Sequence, residues 1–177
     1  MALLRGVNVN GITVRSAELA QLFRDLGFAE VRTVLASGNV CFEAEIGDTE
    51  AERAALKARI EGGLRERFGY EAWIVLVPHD ALAEIIAGYP FEQDGEHHAY
   101  AVFVSTDQAR DELLAGVPSG GSDESDAIER VAGGDGVVYW RAPRGASTDT
   151  AFSKHAGKVR FKATTTTRNL NTLRKML

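Results

Sequence analysis

The sequence predicts an α+β fold of two tandem ferredoxin-like halves, each of βαββαβ type with a mainly antiparallel sheet. Three observations carry this expectation. The apolar residues switch repeatedly between a period near two and a period near 3.6. The first 78 residues read β-α-β-β-α-β, the split βαβ unit. The remaining residues repeat that order less regularly. The expected units are therefore 1–78 and 79–177, the second carrying a basic C-terminal segment.

In the first unit, Ala2–Val9 is a short apolar run that reads as a buried strand. Ser16 is a good helix N-cap; Leu19, Leu22, Phe23 and Leu26 follow on one face, and Gly27 supplies the stop. Val31–Ala36 and Val40–Ala44 are β-rich runs around Ser37-Gly38-Asn39, a hairpin turn. They should pair antiparallel. A helix from about Asp48 places Leu56, Ile60, Leu64 and Phe68 inward and ends at Gly69. Glu71–Val77 is a strand closed by Pro78.

In the second unit, Asp80 caps a short helix with Leu82, Ile85 and Ile86. His98–Val104 is a strand, and Ser105 or Thr106 caps a helix holding Ala109, Leu113 and Leu114. The segment from Pro118 to Ser125 is an acidic, Gly- and Ser-rich loop. Ile128–Ala132 and Val137–Ala142 flank the turn Gly133-Gly134-Asp135-Gly136. Ser147–Ala156 has helical character and Val159–Ala163 alternates like a strand. Thr167 is then expected to cap a last helix with Leu170, Leu173 and Leu177 on one stripe.

Composition narrows the function classes. Hydrophobic residues at 45% and charged residues at 25% are the globular norm and argue against a disordered chain. No apolar run approaches the ~18 residues that span a bilayer, and the opening MALLRGVNV does not read as a signal peptide. The single cysteine, Cys41, excludes an internal disulfide framework and a zinc cluster of paired cysteines. These features lead to the expectation of a cytoplasmic protein without membrane contact. The net charge of −5 hides a gradient: residues 79–149 hold 4 basic and 14 acidic side chains, residues 150–177 hold 7 basic and no acidic ones. That asymmetry marks either an anion site or a tail that packs beside the acidic middle of its own chain.

Three ordered motifs stand out: Leu3-Leu4-Arg5-Gly6-Val7-Asn8-Val9, Val31-Arg32-Thr33 running into Ser37-Gly38-Asn39-Val40, and Thr166-Thr167-Arg168-Asn169-Leu170-Asn171-Thr172. Together they resemble the bacterial family known only as domain of unknown function 1697, whose members read LLRGINVGG, VRTYIQSGNVVF and TTRNWNT. Here Asn10 stands for a glycine, Val34 for the tyrosine and Leu170 for the tryptophan. The resemblance implies a two-part ferredoxin-like fold and brings no activity, substrate or catalytic residue with it.

The residues themselves supply candidate chemistry. Thr164–Thr167 put four hydroxyls at the expected helix start with Arg168 in its first turn, after Lys158, Arg160 and Lys162. Hydroxyls, helix N–H groups and a guanidinium are the ingredients of a phosphate or carboxylate site; the plainer account is a cap, with Arg168 paired to an acidic side chain. Arg5 within an apolar strand needs a carboxylate or ligand partner. Asn8 and Asn10 fit either a binding loop or an ordinary turn. The expected ligand-binding set is thus Arg5, Asn8, Asn10, Thr166, Thr167, Arg168 and Asn169.

Familiar catalysis finds no pattern here. There is no G-x-S-x-G, Walker or dinucleotide glycine motif. His79, His97, His98 and His155 lack metal-ligand spacing, and the neighbours His97 and His98 on one strand should face opposite ways, so that at most one serves a given site. Asp123, Glu124 and Asp126 read as a solvated loop rather than a cation site. Tyr100, Phe103, Tyr139 and Trp140 suit core packing better than an RNA-binding sheet. No cofactor and no metal are expected. The leading expectation is a binding protein, monomer or homodimer, for an anionic ligand, a small anion, nucleotide or nucleic-acid phosphate, at the C-terminal basic segment. The acidic middle disfavours a long nucleic acid as partner. An enzyme using Arg5, Asn8 and Arg168, with no evident nucleophile, is one alternative. A homo-oligomeric module joined through a sheet edge is the other.

Overall fold

The computed structural model describes residues 1–6, 13–35, 38–45, 47, 49–69, 71–116 and 129–177. The chain divides into two compact units, Met1–Ala81 with Met176 and Leu82–Lys175 with Leu177. It is an α+β protein with two four-stranded antiparallel sheets.

The first unit contains β1 (Ala2–Arg5), α1 (Ser16–Asp25), β2 (Ala29–Thr33), β3 (Asn39–Glu43), α2 (Glu50–Phe68) and β4 (Trp73–Leu76). Its strand order is β2-β3-β1-β4. The expected antiparallel pair of the first hairpin is present, with Thr33 opposite Val40 and Arg32 opposite Cys41. Ala2, Leu4, Val40 and Ile74 form the sheet side of a core whose other side is Leu19, Leu22 and Phe23 of α1 and Leu56, Ile60 and Leu64 of α2. Both helices therefore cover the same face.

Local chemistry explains where these helices begin and end. Ser16 is the first residue of α1 rather than its cap, a role that falls to Arg15 without a side-chain bond. Gly27, at φ +82°, ends it: its N–H donates to Arg24 O and that of Phe28 to Phe23 O, the two bonds of a Schellman motif. The second helix has a capping box, in which Thr49 Oγ1 accepts from Glu52 N and Glu52 accepts from Thr49 N.

The second unit contains α3 (Ala81–Ala87, starting at the boundary), β5 (His97–Val104), α4 (Asp107–Ala115), β6 (Arg130–Gly134), β7 (Val137–Pro143), α5 (Ala151–Ala156), a 3-10 turn at Val159–Phe161, β8 (Thr165–Asn169) and α6 (Leu170–Arg174). Its sheet order is β6-β7-β5-β8. Val102, Val138, Trp140 and Ala142 pack with Leu113, Phe152 and Phe161 on one face. Tyr139, on the other face, reaches α3 and donates its hydroxyl to Ile85 O at 2.9 Å.

The C-terminal region corrects the sequence reading. Thr165–Asn169 form an edge strand paired with β5, and the helix begins only at Leu170, capped by Asn169. Consecutive β-branched threonines suit a pleated strand, and the ladder with Tyr100–Val104 overrides the local capping preference of Thr167. Val159–Phe161 is a 3-10 turn instead of a strand, and of Ser147–Ala156 only Ala151–Ala156 is α-helical.

Candidate functional site

The antiparallel register of the second sheet gathers three strand ends. His97 lies opposite Pro143 and Ala99 opposite Arg141, while Tyr100 pairs with Asn169. The start of β5 and the ends of β7 and β8 therefore meet at one end of the sheet. A small cleft of about 60 Å³ opens there, lined by Tyr89, Glu92, Asp94, His97, His98, Arg141, Arg144, Asn169 and Asn171 among others.

Asp94 organises it. Its Oδ1 accepts from the backbone N–H groups of Glu96 and His97, both at 2.8 Å, so the carboxylate also shapes the turn into β5. Its Oδ2 accepts from Arg141 Nη2 at 2.8 Å. His97 Nδ1 lies 2.9 and 3.0 Å from the two carboxylate oxygens. The same Nδ1 lies 2.9 Å from Arg141 Nη2, so this nitrogen meets both the carboxylate and the guanidinium. The Arg141 and His97 donors hold the Asp94 carboxyl well below the usual carboxylate range.

Two shielded donors on residues beside this cleft have no hydrogen-bond partner. Among the described residues, the buried side-chain polar atoms without a hydrogen-bond partner are Tyr89 Oη and Arg141 Nε. Both belong to residues that line the cleft. Tyr89 is 9% exposed, and burial pushes its phenol up to about 12, with Arg141 and Asp94 acting on it in opposite senses. A buried donor left unpaired costs about 1–3 kcal/mol, and such atoms are rare in native interiors.

The C-terminal motif supplies the far wall. Asn169 Oδ1 accepts from Asn171 N at 2.9 Å, and Asn171 Oδ1 accepts from Arg174 at 2.7 Å. Arg174 also donates to Gln93 Oε1 at 2.9 Å, tying the motif to the loop that carries Asp94. Arg144, exposed at the rim, donates weakly to His97 O at 3.4 Å.

The described residues of the expected site fall in both units. Asn169 borders the cleft. Thr166 and Arg168 are buried in β8, and Arg168 donates to Thr166 Oγ1 and Thr167 O, both at 2.8 Å. Burial pushes its guanidinium down to about 10, still a cation at neutral pH. It is a sheet residue and not part of a helix start. Thr167 is an exposed strand position. Arg5 ends β1 in the first unit, half-buried opposite Trp73, with its pKa lowered by that burial. Asn8 and Asn10 lie outside the described residues, as do Asp123, Glu124 and Asp126. His97 and His98 both border the cleft, although only His97 joins the Asp94 network; the ring of His98 sits 5.6 Å from Tyr100.

Sequence reasoning missed Tyr89, Asp94, Arg141 and Arg144. The one local signal was Asp94 three residues before His97, a spacing at which a turn-forming aspartate meets the imidazole. Elsewhere, Tyr100 stacks on Trp140 at 4.9 Å in the core, and Cys41 is buried. Among the described residues no group of three or more His, Cys, Asp or Glu side chains is placed to hold a metal ion. No described helix is long and apolar enough to cross a membrane.

Comparison with known proteins agrees with the fold. The family model described as "Protein of unknown function (DUF1697)" matches residues 1–139. Among solved structures, the conserved bacterial protein SP0830 from Streptococcus pneumoniae is similar at a TM-score of 0.70 and 23% identity, over 99% of this chain and 94% of that one. No curated protein matches the chain.

Proposed function

We propose, from the premise that this chain belongs to the DUF1697 family of unknown function, that it is a binding protein for a small anionic ligand held in the cleft of its second unit. The observation that carries this reading is the pair of shielded donors, Tyr89 Oη and Arg141 Nε, left unpaired on two residues that line one cleft. An anion oxygen is the partner both can donate to, and a bond from a charged donor to an anion is about twice as strong as a neutral one. The amides of Asn169 and Asn171 and the guanidinium of Arg144 border the same space. The anion site thus shifts from the start of the last helix to the strand ends, and retains Asn169 from the expected set.

The same reading treats the two units as tandem ferredoxin-like halves. In its favour are the matching strand orders, β2-β3-β1-β4 and β6-β7-β5-β8, and the placement of both first-unit helices on one face.

Titration of the isotopically labelled full chain with acetate and with phosphate, followed by amide NMR shifts, tests the binding role. Ligands of four or five heavy atoms reach at best about −1.5 kcal/mol per atom, so dissociation constants near the millimolar range are expected. Shifts should concentrate at residues 89–99, 141–144 and 169–171, and Arg141→Ala should abolish them. Absence of saturable shifts at those residues with every anion would refute the binding role.

A second reading, acid–base catalysis, is favoured by one observation. His97 Nδ1 lies 2.9 Å from Asp94 Oδ1, an arrangement in which a proton on Nδ1 leaves Nε2 as the proton acceptor. Nitrogen NMR of His97 would show the Nδ1–H tautomer in the wild type and a mixed population in Asp94→Ala. A wild-type ring already protonated on Nε2 would remove that reading.

A further inference from the structure

We infer that anion binding in the cleft is coupled to protonation of His97, an inference that rests on the anion-binding reading above. His97 Nδ1 lies 2.9 and 3.0 Å from the two Asp94 carboxylate oxygens and 2.9 Å from Arg141 Nη2. A carboxylate only accepts and a guanidinium only donates, whereas Nδ1 holds either a proton or a lone pair. With a proton it donates to Asp94 and confronts an Arg141 N–H. With a lone pair it accepts from Arg141 and confronts the carboxylate. One nitrogen cannot satisfy both neighbours at once. The imidazolium carries a proton on each nitrogen and is confined to the first state, while the neutral ring can enter the second.

Arg141 carries the consequence to the cleft. Its Nη2 has two hydrogens, and Asp94 Oδ2 accepts one of them at 2.8 Å. The lone pair of a neutral His97 accepts the second; an imidazolium cannot. That hydrogen is then open to a ligand, as is Nε, which has no partner. Nε and Nη2 share one edge of the guanidinium, the edge that grips two oxygens side by side. A protonated ring thus frees donors for an anion and adds a positive charge beside them.

The charged and titratable groups that line the cleft with this ring are Tyr89, Glu92, Asp94, His98, Arg141 and Arg144. Arg130 lies opposite Arg141 on β6, its guanidinium 5.0 Å from the Phe91 ring, and Arg174 of α6 is bonded to Gln93 and Asn171. Asp94 is held well below the usual carboxylate range by Arg141 and His97, and burial pushes Tyr89 up to about 12, so both keep their charge near neutral pH. Histidine is the side chain suited to change charge between about pH 5 and 8. Of the two histidines at the cleft, His97 joins the Asp94 and Arg141 network, whereas the His98 ring sits 5.6 Å from Tyr100. Linkage is reciprocal: the factor by which the imidazolium strengthens anion binding is the factor by which the bound anion strengthens proton binding to His97. Affinity should therefore fall as pH rises through the titration of the ring.

Sulfate and formate are suitable probes, because both keep their charge from about pH 5 to 8.5. The full chain is titrated with each across that range at constant ionic strength. Amide NMR shifts give the affinity, and the ring signals of His97 give its own titration. Affinity should be about tenfold higher at the acid end than at the alkaline end, and a saturating anion should move the His97 midpoint upward by about one pH unit, the same factor. His97→Asn should lose the pH dependence, and His98→Asn should keep it. Equal affinity across the range with an unmoved His97 midpoint would overturn the coupling and leave the anion site standing. Dependence that survives in His97→Asn, or a midpoint shift confined to His98, would overturn the assignment to His97; the wild-type ring signals decide this even if the variant does not fold. Saturable binding of neither anion at any pH would overturn the anion-binding reading and the coupling together.

Discussion

Tyr89→Phe should move stability and binding in opposite directions. The hydroxyl is shielded, makes no hydrogen bond and sits on a side chain that is 9% exposed. Leaving such a group unpaired costs the fold about 1–3 kcal/mol. Deleting the oxygen removes that cost and leaves a void of roughly 15 Å³, worth about 0.4 kcal/mol at 24 cal/mol per Å³. The net expectation is a ligand-free protein more stable by about 1 kcal/mol, or about 2–4 °C in Tm for a chain of this size. Acetate affinity should fall by about 10- to 150-fold, the equivalent of a 1.5–3 kcal/mol charge-assisted bond. Urea denaturation followed by tryptophan fluorescence suits the test, because Trp140 reports the second unit and Trp73 the first. Comparing chains with and without Tyr89→Phe in a Trp73→Phe background isolates the Trp140 transition of the second unit. A Tyr89→Phe chain destabilised by 1 kcal/mol or more would refute the reasoning, because it would mean that the hydroxyl already has a partner in solution.

Three further outcomes follow from the geometry. Arg168→Ala should destabilise the second unit by about 1.5–3 kcal/mol through loss of buried charged hydrogen bonds, while acetate affinity changes less than threefold; urea denaturation and the NMR titration measure the two. The Asp94 carboxyl has a folded pKa depressed by Arg141 and His97, so its stabilisation is fully present above the ordinary value of 3.8 and is lost as pH falls through the lower folded value. The stability gap between wild type and Asp94→Asn should therefore be widest above about pH 5 and close progressively below pH 4, as read from urea midpoints at stepped pH. Thr49→Ala breaks the capping box of the second helix and should cost about 0.5–2 kcal/mol, seen in the first-unit transition with anion binding unchanged.

Much of the first unit was legible because its signals are local. Apolar residues at helical spacing named Leu56, Ile60 and Leu64 as inward, and each is buried. Gly27 and Gly69 end their helices at positive φ, where a side chain would be strained. The candidate site was legible only at Asn169. Tyr89, Asp94, Arg141 and Arg144 belong to no contiguous motif, and Arg168 drew attention through a charge pattern that its position in a sheet makes structural.

By itself the sequence determined the order of elements as far as β7, the faces of the main helices and the pairing within the two hairpins. These depend on side-chain period, capping and turn chemistry within a few residues of one another. Only the tertiary structure decided that Thr165–Asn169 is a strand, because its partner Tyr100–Val104 lies some sixty residues earlier and the ladder outweighs the capping preference of Thr167. The same register decided the site. Antiparallel pairing brings the start of β5 against the ends of β7 and β8, so that side chains from Tyr89 to Asn171 converge on one cleft. Hydrogen-bond register acts across the sheet, where the linear spacing of residues carries no record of it.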